Sequence, residues 1–155
     1  MFLFINCKSL EEVILPKDII TDFRYMFQNC HKLKKISIPN SVTNIGNYAF
    51  YNCRSLKEVI FTDNVTEIGE FAFYNCSSLE NVTLYDEITK ISDNTFNSCS
   101  KLKKLTIIGR KNISNVLPTT LLSQLSELNV DSSLVSEYET FKTTNHYNFV
   151  VKANV

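Results

Sequence analysis

Apolar and polar positions along this chain repeat on a fixed interval of 23 residues. Leu10, Leu33, Leu56, Leu79 and Leu102 keep that interval, and so do Phe4, Phe27, Phe50, Phe73 and Phe96. Cysteine keeps it at positions 7, 30, 53, 76 and 99, and the chain has no others. Each interval opens with the same phrase: Leu33-Lys-Lys-Ile36-Ser-Ile38, then Leu56, Val59 and Phe61, then Leu79, Val82 and Leu84. The first partial unit supplies Leu10, Val13 and Leu15, the fifth Leu102, Leu105 and Ile107. Apolar residues alternating with polar ones at the end of the phrase mark a half-buried strand. A fixed period in the twenties predicts a solenoid, in which each unit covers the next and equivalent side chains pile into columns.

The rest of the interval predicts a return path. Pro16 and Pro39 close their strands, because proline cannot donate to a ladder. Gly46 and Gly69 are expected at tight turns of positive φ. Ala49-Phe50-x-Asn52-Cys53 is too short for a free helix and reads as a helical or 3-10 turn. After Cys99 the interval weakens without stopping. Leu125, Leu128 and Val130 follow Leu102, Leu105 and Ile107 by 23 residues and predict a sixth strand. Pro118 opens a short helix over 119–124, and Ser132 or Ser133 caps a last helix running to about Phe141. Tyr147 to Lys152 then reads as a final strand or extended segment.

Composition removes several function classes. An apolar fraction of 44% is too high for disorder, and no apolar run approaches the ~20 residues of a membrane span. Sixteen basic residues balance sixteen acidic ones, so nothing draws the chain toward nucleic acid or an anionic membrane. The first residues carry no basic segment and only a short apolar one, which is not a signal peptide. Phe4, Asn6 and Cys7 already belong to the repeat, so the chain starts inside a coil. It is expected to be the C-terminal piece of a longer solenoid.

The unit Phe-x-Asn-Cys-x-x-Leu-x-x-Ile-x-Ile-Pro-x-x-Val-Thr-x-Ile-Gly-x-x-Ala-Phe resembles the BspA-type leucine-rich repeats of bacterial and protist surface proteins. The ending from Leu128 through Tyr138 to Tyr147 is similar to the strand-and-helix segment that closes bacterial members. Ser92, Thr95, Thr62 and Tyr85 depart from the pattern, where it has Gly, Ala, Pro and Pro. The fold class implied is an α/β solenoid. It would be a right-handed leucine-rich repeat superhelix with one parallel β-sheet, short helical or 3-10 turns on the return side, and a C-terminal helix cap. The expected organisation is one domain over residues 1–155, with about five regular repeats over 1–110, an irregular sixth at 111–131 and the cap at 132–155. The resemblance also implies a surface adhesin or host-interaction protein, at the cell surface or secreted.

Candidate chemistry is sparse. Stacked thiols have parallel Cβ vectors, so they neither close into disulfides nor converge on zinc, and they read as a column of reduced core fillers. Asn6, Asn29, Asn52 and Asn75, with Ser98 fifth, read as a ladder that satisfies backbone groups left unpaired by the turn. His31 and His146 have no nucleophile or metal-ligand arrangement around them. No catalytic residue, metal site or cofactor is expected.

The remaining candidate is the outward face of the strands, where the column Lys35, Glu58, Asn81, Lys104 runs beside Ser37, Ile60, Thr83, Thr106. These eight are the expected binding residues, for a protein or glycoconjugate ligand. Six opposite-sign neighbours are expected along the strand face: Glu11–Lys34, Lys57–Glu80, Glu80–Lys103, Glu12–Lys35, Lys35–Glu58 and Lys104–Glu127. The face lacks aromatic anchors, which gather on the return side as Tyr48, Tyr51, Phe71 and Tyr74, a possible self-association patch. A non-enzymatic binding module is the first expectation, and a regulatory repeat segment of a larger intracellular protein the alternative.

Overall fold

Strand pairing turns the interval of the sequence into a register. The computed structural model describes residues 3–19 and 22–154. Met1 and Phe2, read above as part of the opening coil, lie outside the described residues, as do Ile20, Thr21 and Val155. Strands follow in chain order as β1 (Lys35–Ser37), β2 (Asn44–Ile45), β3 (Glu58–Ile60), β4 (Glu67–Ile68), β5 (Asn81–Tyr85), β6 (Lys90–Ile91), β7 (Lys104–Ile108), β8 (Glu127–Val130) and β9 (Val150–Ala153). Helices α1 (Thr119–Gln124) and α2 (Val135–Thr144) flank β8. Every pairing is parallel, and every pairing sets residue i opposite residue i+23.

The columns are real and form the core. Phe27, Phe50, Phe73 and Phe96 stack with centroids 5.3, 5.0 and 5.4 Å apart. Leu33, Leu56, Leu79 and Leu102 are fully buried beside them, as are Cys30, Cys53, Cys76 and Cys99. Each buried Phe or Leu contributes about 1.5–3 kcal/mol of transfer free energy. A side chain in register thus stabilises its own coil and the next one.

Several expectations need correction. One parallel sheet was expected; the structure has three, ordered β1-β3, β2-β4-β6 and β5-β7-β8-β9. The second is a narrow ladder of two-residue strands on the return path, too short to show any alternation in sequence. The outward sheet is interrupted because β3 and β5, in successive coils, do not pair. The break falls at Phe61, the one aromatic in a column otherwise made of Leu15, Ile38, Leu84, Ile107 and Val130. Its ring is buried edge-on against Phe73, with centroids 5.8 Å apart. Extra volume beneath a strand moves the backbone, and the ladder is lost there. In the opening coil, residues 10–16 form no strand, although Lys34 N–H still donates to Glu11 C=O at 3.0 Å.

In the regular coils the return side is built of turns, and helical pieces enter after Cys99 as a 3-10 turn at Ser114–Val116 and α1. Asn29, Asn52, Asn75 and Ser98 have φ of 61, 61, 57 and 63°, and Tyr25, Tyr48 and Phe71 have 57, 59 and 55°. A left-handed residue every few positions stops any helix from propagating. The N–H groups so turned reach the next coil instead: Phe27 to Ala49 C=O at 2.8 Å, Phe50 to Ala72 C=O at 2.7 Å, Phe73 to Thr95 C=O at 3.0 Å. Gly46 and Gly69 do not hold positive φ, which among the glycines belongs to Gly109 (φ 126°). They are small because coils meet there: a Cβ on Gly46 would stand 2.9 Å from Arg24 N, and one on Gly69 2.8 Å from Asn47 N.

The last two coils keep the interval while changing its filling. Pro118 precedes α1, as the sequence predicts. The next N-terminal cap is Asp131, not Ser132 or Ser133; its carboxylate accepts from Ser133 N–H and opens a 3-10 turn, Ser132–Leu134, that runs into α2. The final strand β9 sets Val150 opposite Glu127, so the interval survives a ten-residue helix. Tyr138 anchors α2 in the core, its hydroxyl accepting from Ile113 N–H at 3.0 Å while burial pushes its pKa up to about 12.

Candidate functional site

All eight expected binding residues lie on one outward face. Strand alternation buries Ile36, Val59, Val82 and Leu105, and turns their neighbours outward. Lys35 stands opposite Glu58 and Ser37 opposite Ile60; Asn81 stands opposite Lys104 and Thr83 opposite Thr106. The break between β3 and β5 divides them into two groups of four. Glu58, Ile60, Asn81 and Thr83 line a depression of about 430 Å³ at that break. Lys35 and Ser37 lie one coil before it, Lys104 and Thr106 one coil after.

Three of the six expected charge pairs form: Lys34–Glu11 at 2.7 Å, Lys35–Glu58 at 2.8 Å and Lys104–Glu127 at 3.0 Å. Glu12 loses Lys35 because that lysine reaches forward to Glu58. Lys103 is taken by the Gln124 carbonyl at 3.2 Å. Lys57 and Glu80 flank the interrupted ladder, and among the described residues neither makes an ion pair. Glu127 is the most engaged carboxylate: Lys152, Asn129 and Lys104 all bond to it, Lys152 foremost, holding its pKa down at about 2.

Two contributors escaped the sequence reading. Tyr85 lines the depression, so this face does carry an aromatic, against expectation. Its signal was the missing proline: Pro39 ends its coil's strand, whereas Tyr85 lets β5 run five residues and presents a third outward side chain. Lys152 was the other, legible from the interval 129 to 152 once the last strand is placed in register.

The remaining candidates are structural. The cysteines are unpaired. Each buried thiol donates to a phenylalanine carbonyl of the preceding coil: Cys30 to Phe4, Cys53 to Phe27, Cys76 to Phe50 and Cys99 to Phe73, at 3.0–3.2 Å. Burial pushes the Cys30 pKa up to about 11 and raises those of Cys53 and Cys76, which suppresses the thiolate. The asparagines bond to one another and not chiefly to backbone. Asn29 Nδ2 donates to Asn6 Oδ1 at 2.8 Å, Asn52 to Asn29 at 3.0 Å and Asn75 to Asn52 at 2.8 Å. On the return side Tyr48 stacks on Tyr25 and Phe71, and Tyr51 on Tyr74, at 5.1–5.2 Å. Their ring faces are spent on each other, and all five rings are half-buried. Among the described residues no cluster of three His, Cys, Asp or Glu could hold a metal, and no helix is long and apolar enough to cross a membrane.

Comparison with known proteins agrees with this architecture. The fold is similar to that of a crystallised leucine-rich repeat protein from Bacteroides ovatus, at 24% identity and a TM-score of 0.55. The match covers 83% of this chain and 32% of the other, so this chain spans about a third of that protein's length. No curated protein matches. A family model described as the BspA type leucine-rich repeat region matches residues 23–148 in six copies. The chain belongs to the BspA-type leucine-rich repeat family.

Proposed function

We propose that this chain is a non-enzymatic binding module whose ligand, a protein or glycoconjugate, docks on the outward strand face. The carrying observation is the contrast in how side chains are used. Those on the return side bond to their equivalents in the next coil, whereas Asn81, Thr83, Lys57 and Glu80 on the strand face make no side-chain bond among the described residues. Lys35, Ser37, Glu58, Ile60, Lys104 and Thr106 complete the surface offered. Membership of a repeat family supports an interaction scaffold in general, and the surface association common among such proteins favours adhesion at the cell surface or after secretion. The C-terminal coils from Ser132 onward act as a cap on this reading, since β9 pairs with β8 and α2 packs against β9.

The test is binding of the chain to immobilised matrix proteins and glycans, repeated with Lys35→Glu, Glu58→Lys and Lys104→Glu together. Loss in that variant, with binding kept by Tyr51→Ala and Tyr74→Ala, supports the strand face. The reverse outcome overturns it and favours the return-side patch of Tyr48, Tyr51, Phe71 and Tyr74. One observation favours the second reading, a regulatory segment of an intracellular protein: four buried, unpaired thiols suit a reducing compartment.

A further inference from the structure

Where β3 and β5 fail to pair, the strand face gains something its other coils lack. Backbone groups on the facing edges of these strands are not consumed by a strand ladder. The Asn81 amide and Thr83 hydroxyl beside them have no side-chain partner among the described residues. Among the described residues the Tyr85 ring makes no ring contact, in contrast to the stacked tyrosines of the return side. Ile60, 40% exposed, supplies an apolar floor, and Glu58 supplies carboxylate oxygens. All of these line one depression of about 430 Å³, within the range of small-ligand sites.

We propose that this depression is a subsite for a neutral saccharide, a deepening that rests on the strand-face reading above. Each group matches one feature of a pyranose ring. Its C–H faces are weakly positive and pack on the negative face of an aromatic ring, which Tyr85 has to spare. Its vicinal hydroxyls both donate and accept, matching the amide of Asn81, the hydroxyl of Thr83 and the carboxylate of Glu58. Net charge favours a neutral ligand over an ionic one: Glu58 is already neutralised by Lys35, Lys104 by Glu127, and the position between them is Asn81. The ammonium of Lys57, which also lines the depression, is matched in charge by the likewise unpaired Glu80 of the next coil. A peptide anchor would be served better by a deep apolar pocket or an open strand edge. This site is lined by polar and apolar groups together, and its two strand edges face each other.

The experiment is a heteronuclear NMR titration of the full chain with methyl β-glucoside, methyl β-galactoside, methyl α-mannoside and N-acetylglucosamine, each alone. Saturable shifts at residues 58–61 and 81–85 with at least one sugar are expected. Tyr85→Ala should weaken that binding about tenfold. Thr83→Val, which keeps shape and removes only the hydroxyl, should weaken it less, and Tyr51→Ala on the return side should leave it unchanged. An unperturbed spectrum away from the depression shows that each variant is folded. Three outcomes overturn the proposal: shifts confined to the return side, no saturable shift with any sugar, or saturation by N-acetyl-phenylalanine amide in place of the sugars. The last two leave the strand-face reading untouched, since that reading stands or falls on the charge-reversal variants; the first counts against both.

Discussion

The return side and the strand face of this solenoid treat repetition in opposite ways. On the return side each coil repeats the last: phenylalanine on phenylalanine, thiol to carbonyl, asparagine to asparagine. On the strand face the outward column changes at nearly every step, as Lys35, Glu58, Asn81, Lys104, Glu127. Close packing explains the phenylalanine and thiol columns, and backbone geometry the asparagine one. A left-handed residue at each turn admits few residue types, and asparagine is among the best tolerated after glycine. Nothing in a strand constrains its solvent-facing side chain so tightly, and that freedom is where specificity can reside.

Substitutions that break the invariant side should cost most. Phe50→Ala empties the middle of the phenylalanine stack and should lose about 3–5 kcal/mol in urea unfolding. Asn52→Val removes both ladder bonds and forces a β-branched residue to φ near 61°, for a loss of about 3 kcal/mol. Asn52→Gly keeps the conformation and should lose clearly less, separating strain from the ladder.

Variants on the strand face sharpen the contrast by their small effects. Phe61→Leu restores the aliphatic column, and the amides of β3 and β5 should gain hydrogen-exchange protection as the ladder closes, within about 1–2 kcal/mol of wild-type stability. Lys35→Glu breaks the exposed pair with Glu58 and should change stability by about 0.2–1 kcal/mol. Glu127 gives a pH signature: its folded pKa of about 2 lies below the ordinary 4.5, so its contribution is full above pH 4.5 and is lost as pH falls toward 2. Glu127→Gln should flatten that part of the stability-against-pH curve, and an unchanged curve would remove Glu127 as its source.

The interval of 23 residues alone determined the columns, the strand register, the buried thiols and the outward face, because identical spacing in a parallel stack puts identical residues on top of one another. It held even through Val150, where the apolar pattern had faded. Tertiary structure decided the rest. The sheet breaks at Phe61 because volume beneath one strand matters only once a neighbour is packed against it. The second ladder, the true role of Gly46 and Gly69, and the placing of Tyr85 in a depression all arise between coils. Periodicity records which residues are equivalent; the distance between coils, which decides whether two backbones bond, part or collide, is set by packing.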